Sequence, residues 1–281
     1  MLKFTKLFVL ALALAAASLP ALAQCHSGSD DSAVAASPSQ PVVTDSPDPI
    51  NLGVAEVEYG WQHASLGDRT DDTAFGALYK LGVFCNAEVR VFFNPWLHNT
   101  LPGQSPEQGI GDTWITGQYR FHAQTHYVPS LAFHYTFKQP TANSADGLGS
   151  GQHDQILAVS AGKDYKQTTF NFETKYIFLG QPNAQPFSRF QQYSGNATHA
   201  LVRHFSLTGE IYANTRSTTQ CPGLASTLWT VNYSRNPRLV FDAGIDVGLT
   251  HGAPDKRFFA GVSYALGDFY KPLRHLHSSS D

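Results

Sequence analysis

Side chains alternate between apolar and polar along the stretch from Gly109 to Tyr176. From position 113 one set of alternate residues is largely apolar and the other largely polar, and residues 131–138 repeat the pattern. Successive side chains of a strand point to opposite faces, so this alternation is typical of strands with one apolar face. The stretch therefore predicts four antiparallel strands, separated by a short turn, a long Gly-rich loop and another short turn.

The alternation fits two kinds of sheet. In a soluble sandwich the apolar face points to a core and the charged face to water. In an outer-membrane barrel the aromatic face contacts lipid and the polar face lines the interior. The pattern of these four strands does not choose between them.

The remaining segments favour the barrel. Strands predicted on both sides of the central stretch bring the total to about twelve, each of roughly 9 to 11 residues, the length of a tilted membrane strand. Long polar connections and short turns alternate along the chain, as they do in outer-membrane barrels but need not in a Greek-key sandwich. We therefore predict an all-β fold, an antiparallel up-and-down transmembrane β-barrel of about 12 strands over residues 51–267.

The first residues predict export. Residues 1–23 have two early lysines, an apolar run and Ala21-Leu22-Ala23, the pattern of a cleaved signal peptide. Lipid attachment at Cys25 is an alternative, although Gln24 stands where a lipoprotein signal has a small residue. Residues 24–50, rich in Ser, Pro and Asp, predict a flexible linker, and residues 268–281 predict a polar C-terminal tail.

Composition excludes several classes of function. The charged residues Asp, Glu, Lys and Arg make up 15% of the chain and its formal net charge is -3, so a nucleic-acid partner is not expected. The three cysteines are too few for a disulfide framework. Cys85 and Cys221 could pair in an oxidising periplasm, but their predicted strands are far apart in order, so we expect free thiols at both.

The last predicted strand indicates an assembly partner. Gly261, Tyr264 and Leu266 have the Gly-x-x-aromatic-x-hydrophobic spacing of a barrel-assembly signal, although the chain continues past it. The predicted partners are therefore the barrel-assembly machinery, outer-membrane lipid and an unknown small-molecule substrate, and the predicted location is the bacterial outer membrane.

No catalytic or metal-binding set stands out. The Gly147–Gly151 segment lacks the following helix that a phosphate loop needs. The histidine pairs His122/His126 and His275/His277 lack further ligands at metal-binding spacing. Ser206, two residues after His204, is the best hydrolase candidate, but it has no evident orienting residue. We expect no enzyme activity, no metal and no cofactor.

The polar faces of the predicted strands supply candidate channel-lining residues. Their charged side chains could form ion pairs across a narrow interior, or they could set the selectivity of a channel. Because positive and negative residues are both present in similar number, ion pairing is favoured. The aromatic residues on the opposite faces are expected to contact lipid. The predicted lining residues are Glu56, Glu58, Glu88, Arg90, Arg120, His134, Lys138, Asn171, Glu173, Lys175, Glu210, Asp242 and Asp246.

Several segments resemble a known family. LGVFCNAEVRVFFNP, GIGDTWITGQYRF and KQPTANSADGLGSGQHD, with the closing strands from LVFDAGIDVGLTHG onward, are similar to the outer-membrane proteins of the MetA-pathway of phenol degradation family. The resemblance covers roughly residues 52–266. It implies a transporter-like barrel associated with aromatic degradation, without naming a transported substrate.

The function expected from the sequence is a porin-like channel for passive uptake of small molecules, including aromatic or apolar ones. The alternatives are a structural or interaction barrel with a packed interior, a soluble periplasmic β protein and, more remotely, an outer-membrane hydrolase.

Overall fold

A computed structural model describes residues 34–65, 71–100, 105–182, 188–216 and 223–270. The predicted signal peptide, Cys25 and nearly all of the predicted C-terminal tail lie outside these ranges, and so do His275 and His277. Among the described residues, no helix has the length and apolar character needed to cross a membrane.

Thirteen strands form the described fold. Their bounds are β1 Val54–Ser65, β2 Asp71–Phe84, β3 Ala87–Thr100, β4 Glu107–Gly109, β5 Thr113–His122, β6 Ser130–Gln139, β7 Asp154–Tyr165, β8 Thr168–Leu179, β9 Ser188–Val202, β10 Phe205–Asn214, β11 Leu224–Asn236, β12 Leu239–Gly248 and β13 Lys256–Asp268.

The sheet closes on itself. Sequential strands pair antiparallel, and β1 pairs with both β2 and β13, so no edge remains between the first and last strands. The three-residue β4 pairs with one end of β3, at Leu97 to Asn99, while β5 pairs with the other end of β3. β4 and β5 therefore occupy the same strand position in the wall. Apart from this short piece the barrel has twelve strands, which confirms the predicted fold class.

The connections divide the barrel into two ends. Residues 85–86, 166–167, 203–204 and 237–238 are short turns at one end, which we call the turn end. The strand ends that precede and follow the β1–β2, β6–β7, β10–β11 and β12–β13 connections lie at the opposite end, the loop end. The β5–β6 connection, predicted to be a short turn, also lies at the turn end but has seven residues, 123–129. The other turn-end connections are short as predicted, and both the beginning of β1 and the end of β13 lie at the turn end.

The wall is apolar outside and polar inside. Tyr119, Phe133 and Val159 are 51%, 41% and 44% exposed, whereas the charged residues of alternate positions are buried. Burying apolar area is favourable by about 25 cal/mol per Å², so a belt of such residues around the outside is suited to lipid. This orientation is the reverse of a soluble sandwich, and the soluble periplasmic alternative is wrong.

The segment before β1 lies inside the barrel. Residues 34–50, called the arm below, enter and leave at the turn end, where Val34 and Ile50 pack on Val54 and Ala265. The prediction of a flexible linker over residues 24–50 is therefore wrong for 34–50; residues 24–33 lie outside the described ranges. The reason is that the arm's backbone donors find carboxylate partners on the inner wall, which a Ser- and Pro-rich composition does not reveal.

Cys85 also departs from expectation. It lies in the two-residue turn between β2 and β3 and is disulfide-bonded, so the prediction of a free thiol is wrong at this position. Cys221, the other residue of that prediction, lies outside the described ranges.

Candidate functional site

The inner wall of the barrel carries the candidate site. The thirteen residues predicted to line the interior lie on its inward face. Eleven of them are buried to at least nine-tenths, while the side chains of Arg120 and Lys175 are partly accessible. Nearly all of them contact either the arm or a charged group on a neighbouring strand.

Two glutamates of β1 hold the first part of the arm. The Ser37 backbone N–H donates to Glu56 Oε2 at 2.6 Å, and the Gln40 N–H donates to Glu58 Oε2 at 2.9 Å. Lys80 of β2 lies between the two carboxylates, with Nζ–O distances of 2.6 and 2.7 Å, and also donates to the Ser37 carbonyl. Lys80 therefore bridges the two glutamates, and backbone groups of the arm complete their hydrogen bonds.

Glu210 of β10 holds the middle of the arm from the opposite wall. Its two carboxylate oxygens accept the N–H groups of Val43 and Thr44 at 2.8 and 2.7 Å. The Thr44 hydroxyl donates to the same carboxylate at 2.6 Å. Because β1 and β10 lie on different sides of the barrel, these contacts make the arm cross the interior.

Asp45 is the charged centre of the arm. Its carboxylate pairs with Arg90 of β3 and lies 3.5 Å from Lys175 of β8, while its own N–H donates to Glu173 at 2.9 Å. Burial alone would raise the pKa of Asp45, but attraction to Arg90 and Lys175 outweighs it and holds the pKa below the ordinary range. Asp45 is therefore held as an anion between two strands.

Arg90 joins the arm to the wall through several acceptors. Its guanidinium donates to Glu88 on its own strand, to Asp45 and to the side-chain oxygen of Gln118. Glu88 in turn accepts the Ile50 N–H at 2.6 Å. A planar guanidinium has five donors in a fixed arrangement, so one arginine can fix three partners at once.

The last part of the arm is fixed by β5 and β6. Arg120 and Ser130 both donate to Asp48 Oδ1, at 2.8 and 2.7 Å. Gln118 Nε2 donates to the carbonyls of Ser46 and Pro47 at 3.1 and 2.9 Å. The arm therefore has polar contacts along most of its length, although it forms no strand or helix of its own.

Two further clusters connect neighbouring strands near the loop end. Lys138 pairs with Asp154 at 2.6 Å and Asp112 at 3.3 Å. Asp246 accepts from Ser226, from Tyr212 at 2.6 Å and from Arg257 at 2.6 Å. These contacts do not involve the arm, and they satisfy charges that would be costly to bury alone.

The described residues enclose two cavities inside the barrel, one on each side of the arm. The larger has a volume of about 450 Å³ and opens among residues of the loop half; the smaller, of about 230 Å³, lies in the turn half. Residues Ser39 to Val42 and Arg90 border both. The arm and Arg90 therefore form the partition between two parts of one interior.

The two cavities have different linings. Phe92, Trp114, Phe259 and Ile156 border the larger, with Lys138 Nζ lying 5.6 Å from the Trp114 ring centroid. Asp242, predicted to line the channel, also borders it. The smaller cavity is bordered largely by amide and hydroxyl side chains: Asn171, Asn196, Thr198, Ser206, Thr208, Thr230 and Asn232.

One group of side chains has metal-ligand types in proximity. Ligand atoms of Asp45, His134 and Glu173 lie within 4.8 Å of one another. However, Lys175 Nζ is 3.2 Å from Glu173, and Arg90 pairs with Asp45. A metal cation would face two fixed positive charges there, so the group is better suited to ion pairing within the protein than to metal binding.

Ser206 and His204, the hydrolase candidate, have different partners in the structure. The Ser206 hydroxyl accepts from Asn232 at 3.3 Å, while the exposed His204 ring packs edge-on against Tyr233. A different pair, His134 and Ser160, is joined at 2.7 Å. Both are at most 2% exposed, and neither borders either cavity described above.

The other motifs have structural explanations. The Gly147–Gly151 segment is part of the β6–β7 loop, where Gly147 and Gly151 have φ values of 70° and 66° that favour glycine, and a strand follows. His126 lies in the β5–β6 turn with its ring against Tyr127.

Sequence reasoning missed several residues of the site. Asp45 and Asp48 were assigned to a linker, and Lys80 was left out of the inward set although it alternates with Leu78. Phe92, Trp114 and Phe259 lie on polar faces of their strands, so their inward position follows from the same alternation.

No protein-family model matches the sequence, and no curated protein matches it. Solved structures do share the fold. The COG4313 outer membrane channel from Pseudomonas putida F1 aligns with a TM-score of 0.61 and 14% identity, over 80% of this chain and 100% of that one. The KdgM porin in complex with disordered oligogalacturonate gives 0.53 and 8%, over 75% and 99%. The NanC porin gives 0.51 and 12%, over 75% and 100%.

Proposed function

We propose that this protein is an outer-membrane channel for passive passage of small molecules, and that the arm restricts the passage. The barrel has a lipid-compatible outer belt and a polar interior. The predicted signal peptide supplies the export that this location requires.

The observation that carries the proposal is the divided interior. The two cavities lie on opposite sides of one irregular segment and share its residues Ser39 to Val42 as their border. A barrel with an interior packed for structural purposes alone would fill this space with wall side chains, as small barrels do. Here a separate segment fills it, and the strands of the wall pair with one another independently of that segment.

The larger cavity supports a preference for small solutes with an apolar or aromatic part. Phe92, Trp114 and Phe259 give it three aromatic rings, and Arg90, Asp242 and Arg257 give it polar groups. Aromatic surfaces bind apolar and aromatic groups by burial and by offset or edge contacts. A volume of about 450 Å³ accommodates a molecule of one or two rings.

The resemblance of the strand and loop motifs to the MetA-pathway of phenol degradation family supports the same substrate class. The structural neighbours described as channels and porins support passage over catalysis, and we infer that the protein is not an enzyme. The partners that this function implies are outer-membrane lipid and the barrel-assembly machinery.

Solute flux tests the proposal. Full-length protein is reconstituted into lipid vesicles, and swelling is recorded with phenol and with a neutral sugar of larger size. Selective entry of phenol at rates above protein-free vesicles is expected. A heat-modifiable, detergent-extracted protein that admits neither solute would support the structural barrel instead. Extraction without detergent would contradict the membrane location.

A further inference from the structure

Three inward-facing glycines lie side by side on adjacent strands of the wall. Gly261 of β13 pairs with Gly60 of β1, and Gly60 pairs in turn with Gly76 of β2. On the other side of this glycine row, Gly261 pairs with Asp242 of β12. Gly60, Gly76 and Asp242 all border the larger cavity, so the row forms part of its wall.

The glycines make room for side chains that lie flat against the wall. A Cβ on Gly261 would stand 2.6 Å from Asp242 Oδ2, and a Cβ on Gly60 would stand 2.8 Å from Gln40 Oε1. Both separations are shorter than side-chain atoms tolerate. Glycine at these two positions therefore allows a carboxylate of the wall and an amide oxygen of the arm to lie on neighbouring strands.

Asp242 has no partner for its charge. It is 7% exposed, and its carboxylate forms no hydrogen bond or ion pair with any residue in the described parts of the chain. Asp246, on the same strand, is by contrast bound to Tyr212 and Arg257. A buried carboxylate without a partner is costly, and this one borders a cavity, so its acceptor positions are open to a molecule that enters.

The cations around the larger cavity do not offset this charge. Three of them border it, and each pairs with another carboxylate: Arg90 and Lys175 with Asp45, and Arg257 with Asp246. The charged side chain that acts on Asp242 is Glu58, which is itself acidic. The surroundings of Asp242 therefore favour a positively charged solute and disfavour an anion.

Gln40 supplies a second acceptor next to Asp242. Its backbone N–H is bound to Glu58, while its side-chain oxygen lies over Gly60 and borders the cavity. Gly60 and Gly261 are directly paired, and the Cβ positions of such a pair are ~4.5–5.5 Å apart. Acceptors over two such positions suit one ammonium nitrogen, because N–H···O hydrogen bonds are ~2.9 Å long.

Aromatic rings complete the surroundings of these acceptors. Phe92 lies over Gly76 at the far end of the glycine row, and Phe259 and Trp114 also border the cavity. Ring faces attract organic cations and bury aromatic groups. Calcium and magnesium need about six or more oxygen ligands, whereas this wall offers one carboxylate and one amide oxygen beside the rings. An organic ammonium ion therefore fits better than a metal ion.

We propose that the larger cavity binds a primary ammonium group attached to an aromatic ring, with Asp242 and Gln40 as its hydrogen-bond acceptors. The inference rests on the proposed channel function and deepens it by naming a class of solute. The ammonium group is the missing partner of the buried carboxylate. Because Gln40 belongs to the arm, the bound solute contacts both the wall and the partition between the cavities.

Equilibrium binding tests the site without requiring passage. Detergent-purified full-length protein is titrated calorimetrically with 2-phenylethylammonium, 2-phenylethanol and 3-phenylpropanoate. The three probes share a ring and a two-carbon spacer, but their polar ends are positive, neutral and negative. The ammonium is expected to bind about tenfold more tightly than the alcohol, and the carboxylate more weakly than the alcohol, because hydrogen bonds between charged groups are the stronger ones.

Substitution of the carboxylate locates the binding. Asp242→Asn is expected to lower the affinity for the ammonium about tenfold and to leave that for the alcohol unchanged. The variant should fold and show the heat-dependent gel shift, since it removes a buried unpaired charge. Gly261→Ala keeps the charge but displaces the carboxylate, and it should also weaken ammonium binding. Asp164→Asn, exposed at the turn end of β7, is the matched control and should change none of the affinities.

Two results would overturn the site. One is equal affinity for the ammonium and the alcohol in the wild type, and the other is a preference for the ammonium that persists in Asp242→Asn. The channel function fails separately. Entry of phenol into vesicles without any preference for the ammonium would leave passage standing and remove this site, whereas ammonium binding without flux of any solute would do the reverse.

Discussion

Asp45 of the arm and Arg90 of β3 form an ion pair inside the barrel, at the level where the arm separates the two cavities. The pair joins a segment with no regular secondary structure to a strand of the wall. Lys175 lies 3.5 Å from the same carboxylate on the opposite side. At this level the arm is therefore held by one anion between two cations of different strands.

Replacing this anion is expected to loosen the arm. Asp45→Asn keeps the size of the side chain but removes the charge, and charge-assisted hydrogen bonds contribute ~1.5–3 kcal/mol. The ratio of open to closed time in single-channel records should rise by roughly 10- to 150-fold. Asp146→Asn, in the β6–β7 loop and half-buried away from the arm, is the matched control. An unchanged ratio in Asp45→Asn would mean that the ion pair does not hold the arm.

Lys80 is expected to matter for stability. Lys80→Met leaves the buried carboxylates of Glu56 and Glu58 without their cation, and breaking a buried pair costs ~3–5 kcal/mol. The temperature at which the folded band disappears in an unboiled gel should fall by roughly 6–20 °C. Arg203→Met removes a cation from an exposed turn and should leave this temperature within experimental error. Equal temperatures for the two variants would show that the Lys80 cluster is not stabilising.

The aromatic rings that border the larger cavity are expected to lengthen the time for which phenol stays bound there. Trp114→Ala removes a ring that borders the larger cavity, whereas Trp229→Ala removes a ring from the outer face, where it is 50% exposed. Phenol should block the current of the wild type transiently. The block should shorten about tenfold in Trp114→Ala, since a ring contact contributes ~0.5–1.5 kcal/mol beyond its burial. Shortening of equal size in Trp229→Ala would locate phenol elsewhere.

The outer belt predicts depth-dependent effects of charge. Val159 lies midway along β7 and is 44% exposed, while Val202 ends β9 at the turn end. Val159→Lys should destabilise the folded barrel by ~2–4 kcal/mol and Val202→Lys by ~0–1 kcal/mol, measured by denaturant titration in lipid vesicles. Effects of equal size at the two positions would contradict a membrane centred on the belt.

Alternation of side chains was sufficient to predict the strands and their two faces, and the strand number and connection lengths then indicated a barrel with its apolar face outward. Tyr119 and Phe133 point outward and Glu173 and Glu210 inward, because a strand has a period of two and each face meets a single environment. The barrel's closure followed from strand number and connection lengths rather than from any single motif.

The arm could not be predicted in the same way. Its contacts are mostly between backbone N–H groups and wall carboxylates, and backbone donors are the same in every sequence. One signal was present: acidic residues outnumber Lys and Arg in the predicted inward set, so the glutamates needed donors from elsewhere. Glu56, Glu58 and Glu210 accept those donors from Ser37, Gln40 and Val43.

The central claim is that the arm divides a passage that would otherwise be continuous. The direct measurement is single-channel conductance of the wild type and of a variant lacking residues 35–49, in the same planar bilayer and salt. The account predicts small or brief openings for the wild type and large, stable, ohmic openings for the variant, provided that both show the heat-dependent gel shift of a folded barrel. A folded variant that remains as closed as the wild type would contradict it, because the wall itself would then block the interior.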